Sequence, residues 1–590
     1  MARFETVTAA VLGISEHYPK NGYTFQNMKG EESFYLYSDV AKECRRRAAA
    51  MYDMGLKKGD RVGLIVIEPE DFVLTFLAAL CAGIVPVPLY PPMSFGALDA
   101  YVERTARVLE LSSTRILFAS SRLQNILWSL VDKVPTLEKL VRVEEVQGSD
   151  TPQTLPEIAP DDIAYLQYTS GSTSDPKGVI VTHGSLIANC SSIIYDGIHA
   201  DPNVDLGVSW LPLYHDMGLI GFVIATITSG LGSVFIPTMR FIKKPSVWMD
   251  TMHRHRGTIT FAPNFAYALA VRKVKPKDLE TWDLSCCRVL GCGAEPIQAS
   301  TMNAFLDLFG EHCQLPRTSI LPAYGMAEAT LAMSFKPVDK VYSSRLVDAE
   351  TFGGEGRVAD PVEGSPVFEH VSCGPTFPGH DLAAFDDDGV RLPEGVEGEL
   401  CFKGPSVTRG YFENDEATRA AYREDGWLKT GDLGYVLDNE VYVTGRIKDL
   451  IILNGRNLHP QAIEWHAAEV NGVRKGNVVA FSRPGASSEE LVLVLETRET
   501  EHDEIIAGVK KAVRKEIGLP PADVICLPPG SLPKTSSGKL QRRKTRSQYL
   551  AGRLGVEGTR TMGAEGSTLT VAKHVAASLW TRAKSSILGS

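Results

Sequence analysis

At 590 residues the chain is longer than one hydrophobic core usually serves, so two or more domains are expected. Its 44% hydrophobic and 22% charged residues suit a water-soluble globular protein, and a net charge of −10 with a pI near 5.8 argues against nucleic acid as the main partner. Ten cysteines lack the paired spacing of a zinc site, since no Cys or His pair follows Cys286, Cys287 and Cys292; they read as reduced and mostly buried, in the cytoplasm.

In chain order, the first residues carry Glu5 in a short mixed segment and no signal-peptide core. Arg61 to Ile67 reads as a buried strand, Asp71 to Ala82 as an apolar-faced helix and Ile84 to Pro88 as a second strand, the spacing of a βαβ crossover. Short apolar runs at Ile116 to Ala119, Ser233 to Ile236 and Val289 to Leu290 alternate with helical patterns such as Gln298 to Phe309, so the body is α/β. Met217 to Met239 has no charged residue and is long enough to cross a bilayer, but its glycines and Pro237 fit a buried helix followed by a buried strand, not a transmembrane span. Beyond residue 375, shorter strands such as Glu399 to Lys403 and Val441 to Thr444 suggest a small β subdomain. The polar residues 446–449 fit a hinge at Lys448, followed by a unit to about 550 with helices at Gln461 to Val470 and Glu504 to Ile517. The expected division is therefore 1–445, 446–550, and a tail over 551–590 that reads as linker plus a possible helix.

The most informative stretch is Tyr-Thr-Ser-Gly-Ser-Thr-Ser-Asp-Pro-Lys-Gly over 168–178. Small residues Thr169, Ser170, Gly171, Ser172 and Thr173 let the backbone aim several N–H groups at one anion, and Lys177 adds a cation, which makes a polyphosphate cradle. Because Lys177 precedes its glycine, the pattern is not that of a P-loop NTPase. Five further segments extend the constellation. Gly293, Ala294 and Glu295 follow a strand and would admit a flat ring; Tyr324, Gly325, Met326 and Glu328 offer an aromatic face and a carboxylate; Asp432 and Arg446 would hold a ribose; Lys539 ends a flexible Ser/Gly loop.

With these motifs in this order from Tyr168 to Lys539, the chain resembles the adenylate-forming superfamily of acyl-CoA synthetases, nonribosomal peptide adenylation domains and luciferases. Val-Pro-Leu-Tyr-Pro-Pro over 87–92, Ser-Trp-Leu-Pro-Leu-Tyr-His-Asp-Met-Gly over 209–218 and Leu-Pro-Lys-Thr-Ser-Ser-Gly-Lys over 532–539 are similar to its fatty acyl-AMP ligase branch. The resemblance implies a large adenylation domain with a small mobile α+β domain, ATP as substrate and Mg²⁺ on Glu328. It also implies that Thr169 to Thr173 with Lys177 hold the β- and γ-phosphates, and that Gly293, Ala294, Glu295, Tyr324, Gly325 and Met326 frame adenine. Asp432 and Arg446 take the ribose, Lys539 bridges the carboxylate and α-phosphate, and His215 stands at the carboxylate end of the acyl pocket. Where many members carry threonine this chain has Ala327, so one hydroxyl contact to the α-phosphate is missing. Apolar spacing puts Phe222, Val223, Ile224, Phe265, Tyr267 and Leu269 forward as tunnel lining.

The interval after Glu328 is long, and residues 340–372, with the polar piece Asp348 to Val367, look like the insertion that marks fatty acyl-AMP ligases. That branch passes its acyl group to an acyl carrier protein. No carrier domain follows Lys539 here, so the acceptor is expected in trans. A fatty acyl-CoA ligase and a catalytically silent nucleotide-binding homologue are the alternatives.

Overall fold

The computed structural model describes residues 3–92, 98–146, 154–169, 176–453, 456–485, 489–517, 520–535 and 538–555. Much of the phosphate cradle (170–175), Ser536 with Ser537, and the tail beyond 555 lie outside them.

An eight-stranded sheet runs in the order Ala332–Phe335, Ile320–Gly325, Val289–Cys292, Ile259–Ala262, Leu206–Ser209, Gly232–Phe235, Gly22–Gln26, Glu32–Leu36. Its six inner strands are parallel and the two outermost antiparallel. Strands buried on both faces need continuous apolar runs without polar alternation, and Val289–Cys292 and Gly232–Phe235 are buried at every position. A second sheet of four parallel strands, Val85–Pro88, Arg61–Ile65, Ile116–Ala119 and Lys139–Arg142, flanks it. The crossover helix is Pro69–Cys81; Pro69 opens it and Glu70 and Asp71 stand in its first turn, where a fixed φ and negative charge both favour a helix start.

The uncharged stretch from Met217 folds as a helical turn, a π-helical segment Leu219–Ile224 and a helix Ala225–Ser229 that stops at Gly230 before the strand Gly232–Phe235. No helix among the described residues is long and apolar enough to cross a membrane. All ten cysteines are free thiols.

After residue 375 comes an antiparallel sheet, Asp381–Phe385, Gly398–Lys403, Leu428–Leu437 and Glu440–Arg446. Residues beyond 450 build a three-stranded sheet, Val473–Pro484, Glu489–Thr497 and Asp523–Leu527, with helices Pro460–Ala468, Asp503–Ile517 and Arg542–Leu550. Ile463, Val478, Leu493, Val509 and Val513 form their own buried cluster.

Residues 348–367 are more ordered than their polar composition suggests. Ser344–Asp348 pairs with Val367–Val371, and between them lies the helix Ala349–Glu355, N-capped by the Asp348 carboxylate on the Thr351 N–H at 2.8 Å. Phe352 is 2% exposed and packs with Tyr435, Tyr442 and Phe368, against Ala462 of the helix Pro460–Ala468.

Candidate active site

Asp432 is the nexus of the polar end. The antiparallel ladder of Leu428–Leu437 with Glu440–Arg446 sets it opposite Arg446, whose Nε donates to Oδ1 at 3.0 Å, while the Tyr324 hydroxyl donates to Oδ2 at 2.9 Å. Burial raises the Asp432 carboxyl above the usual carboxylate range, against the opposing pull of Arg446, Tyr324 and Lys539. Two acceptors thus stand in low dielectric beside one cation, as a vicinal diol requires.

Gly293 and Ala294 follow the strand Val289–Cys292. A Cβ at Gly293 would stand 2.8 Å from the Ala323 carbonyl, so only glycine lets the two strand ends approach there. Ala294 has φ +66°, a left-handed conformation uncommon for a residue with a side chain. Glu295 Oε1 accepts the Phe265 N–H at 2.7 Å, and burial lifts its carboxyl as well.

Glu328 sits in the turn Ala327–Ala329 and accepts from the Tyr411 hydroxyl at 2.8 Å. Lys177, paired with Thr169 at the open end of the hairpin Ile163–Thr169 and Lys177–Thr182, holds its Nζ 4.9 Å over the same tyrosine ring. Cradle lysine and carboxylate therefore share one aromatic wall. Burial raises the Glu328 carboxyl, and the charge of Asp216 adds to the rise. The turn ends at Thr330 with φ +70° and ψ −63°, where Leu331 N–H donates to Ala329 O at 3.0 Å; this is a γ-turn of the rare, strained hand. The Thr330 hydroxyl donates to Ser406 O at 2.6 Å and holds the turn in place.

His215 caps the next element, with Nδ1 2.6 Å from Asp216 Oδ1. Burial works to raise the Asp216 carboxyl, but His215 and Lys539 hold it below the usual range. Asp216 was not among the expected site residues. The signal for it in the sequence is its place directly after His215.

Lys539 reaches this centre from the loop closed by Lys534 pairing with Leu540, where Thr535 N–H donates to Lys539 O at 2.7 Å. Burial and the charge of Arg446 lower its ammonium, while Asp216, Glu295 and Asp432 pull it upward. The lysine is thus placed among the residues gathered from four separate segments. Lys448 is exposed in the turn Ile447–Asp449; beside it, Asp449 accepts from Arg542 at 3.1 Å and Arg542 also grips Glu464 at 2.6 Å. At the same junction Gly445 passes so close to His459 that a Cβ would lie 2.5 Å from Nδ1, and His459 pairs with Glu397 at 3.0 Å.

Behind Met217, the residue after Asp216, opens a narrow apolar cavity. Phe222 lines it, but the other proposed lining residues do not. Val223 and Ile224 are fully buried on the packed side of their helix, Leu269 packs against the core from the helix Asn264–Lys273, and Tyr267 is locked in an aromatic cluster with Trp248 and Phe305, its hydroxyl on Gly291 O at 2.8 Å. Phe265 is 37% exposed beside Glu295. Ile193, Ile198, Phe261, Leu331 and Phe335 line the cavity instead.

Residues 18–412 match the AMP-binding enzyme family. The chain belongs to it. This is a family of ATP-dependent adenylating enzymes, and the relatives extend beyond the matched span. A Caulobacter vibrioides protein, provisionally named an acyl-CoA synthetase, is 37% identical over 94% of this chain and 97% of its own. A long-chain-fatty-acid–AMP ligase of Mycobacterium bovis is 34% identical over 83% of this chain and 87% of its own. A solved chain from work on fatty acyl-adenylate ligases of E. coli and L. pneumophila superposes with a TM-score of 0.87 at 34% identity, covering 93% of this chain and 98% of that one. That superposition covers more than the matched span and so extends past residue 412.

Proposed function

We propose that this AMP-binding enzyme is a fatty acyl-AMP ligase. A fatty acid oxygen attacks the α-phosphorus of ATP, the new O–P bond forms, the bond to the β-phosphate oxygen breaks, and pyrophosphate leaves. The observation that carries this reading is the adjacency of Asp216 and Met217: the first lies within electrostatic reach of Lys539, the second lines the apolar cavity, so an acyl chain in the cavity would present its carboxylate toward the lysine. Charge accumulates on the phosphoryl oxygens as the bond is made, and an ammonium already fixed there lowers the barrier without reorganisation. Asp432 would accept from the ribose hydroxyls, and Tyr324 with Gly293 and Ala294 would border adenine. Glu328 would hold Mg²⁺. Its carboxylate, with a second carboxylate, Asp216, nearby, would suit a hard divalent cation, which would supply charge neutralisation for the departing pyrophosphate.

The acyl group would then pass to the phosphopantetheine thiol of a separate carrier protein in the cytoplasm, forming a thioester and releasing AMP. Contact of Phe352 with Ala462 and, at 6.4 Å, with the His459 ring supports an insertion that restrains the 446–550 unit and so disfavours CoA. The test is to supply ATP, Mg²⁺ and a ladder of fatty acids, then CoA or a holo-carrier, and to identify products by mass. Acyl-AMP and carrier thioester are expected. CoA thioester as the main product would overturn the carrier assignment, and Phe352→Ala should raise that product severalfold.

A further inference from the structure

We propose that Gly221 sets the girth of the acyl cavity and that the cavity takes an unbranched, unsubstituted acyl chain of about ten to twelve carbons; this rests on the fatty acyl-AMP ligase reading. Two helices wall the cavity, and both widen to π-helical turns where they do so: Ser192–Gly197, which carries Ile193 and Ile194, and Leu219–Ile224, which carries Gly221 and Phe222. A π turn bulges the backbone and is found mostly at functional sites. Here the paired bulges open space between helices that would otherwise pack.

Within that wall Gly221 is distinct. A Cβ at Gly207, also on the cavity, would meet Ser233 Oγ at 2.8 Å and the Phe222 ring at 3.3 Å, whereas one at Gly221 would meet only Leu331 Cδ2, at 3.8 Å. Gly207 is packed; Gly221 faces open space.

Length follows from the face that the helix presents. Met217, Gly221, Phe222 and Thr226 line the cavity, and the nine steps from Met217 to Thr226 span at most about 13 Å at the roughly 1.5 Å per residue of an α-helix, the wider π-helical turn Leu219–Ile224 shortening that rise. An extended chain of single bonds advances about 1.2 Å per bond, by the reach of an extended backbone over its three bonds per residue, so about eleven bonds fit. At the far end Leu231 and Ile259 are apolar, and the Thr226 hydroxyl is turned back to Phe222 O at 2.5 Å. A methyl terminus fits there.

The experiment measures pyrophosphate release with unbranched acids from six to eighteen carbons, for the full chain and for Gly221→Ala and Gly221→Leu, with ATP KM and thermal midpoint as parallel readouts. The expected result is a kcat/KM maximum at ten to twelve carbons in the parent. Gly221→Leu should move it to eight or fewer and lose at least about 100-fold on dodecanoate, since each excluded methylene changes discrimination by roughly 10- to 200-fold. If Gly221→Leu does not fold, Gly221→Ala, which meets one ordinary contact, should still lose about tenfold on the longest acids. A parent maximum at sixteen or more carbons, or an unshifted profile in a folded variant, overturns this inference alone. Release with no acid on the ladder overturns the fatty acid reading and this inference with it.

Discussion

Asp216 and Met217 are neighbours in sequence, yet they open onto environments of opposite kinds. On the Asp216 side, the covered carboxylates of Asp216 and Asp432 meet the cations Arg446 and Lys539, and each carboxylate is answered by a hydrogen bond or an opposing charge. On the Met217 side stand aliphatic and aromatic groups, and the hydroxyl of Thr226 is satisfied by its own helix. A polar environment discriminates through direction and charge, where one lost partner strands another. An apolar one discriminates through volume, where losses scale with methylenes.

Four measurements would break or sharpen that contrast. The largest effect is expected from Lys539→Ala, which should lower adenylation by about 10²- to 10³-fold or more, as for other removed transition-state donors, while leaving transfer from supplied acyl-AMP intact. Equal loss of both half-reactions would remove Lys539 from the phosphoryl centre. Asp432→Ala leaves Arg446 and the Tyr324 hydroxyl unpaired and should raise ATP KM roughly 10- to 100-fold, from about 1.5–3 kcal/mol per charged hydrogen bond; an unaltered nucleotide affinity would contradict the ribose role. The third is a pH profile. Since burial raises both Glu328 and Asp432, they take up protons at a higher pH than ordinary carboxylates as the solution is acidified. kcat/KM for ATP should therefore fall on the acid side beginning above the usual carboxylate range, while the chain-length optimum stays put, because the cavity holds no titrating group. A preferred length that drifts with pH would mean that charge reaches the cavity. Smallest is Tyr267→Phe, which removes the hydroxyl's hydrogen bond to the Gly291 carbonyl: about 1 kcal/mol of stability in urea titration, with no change in acid preference. A shifted preference would return Tyr267 to the acyl site.

The same contrast governs what could be read from the amino acids. Ile116 to Ala119 was placed to the residue, and Glu504 to Ile517 within one, because apolar periodicity is strong in buried strands and amphipathic helices. Polar site residues announce themselves by type and order, so Lys177, Glu328, Asp432, Arg446 and Lys539 were nameable before their geometry; Ser170, Gly171, Ser172 and Thr173 lie outside the described residues. Cavity lining was not nameable, because lining and core are chemically alike. Reading 3.6-residue spacing through Leu219–Ile224 also assigns the wrong face, since a π turn rotates everything after it, which is why Phe222 lines the cavity and Ile224 does not. The helix Ala349–Glu355 was hidden for another reason: its two glycines lower intrinsic propensity, and packing of one side chain, Phe352, overrides them.

Thr330 carries a consequence for anyone engineering heat resistance into this enzyme. A β-branched residue in a strained backbone conformation stores about 1–3 kcal/mol, which glycine would release. Glycine would also surrender the tether to Ser406 and let the loop bearing Glu328 wander. Selection by melting temperature alone would favour the relaxed turn and give up that placement of Glu328, so a screen for sturdier variants should score activity at the same time.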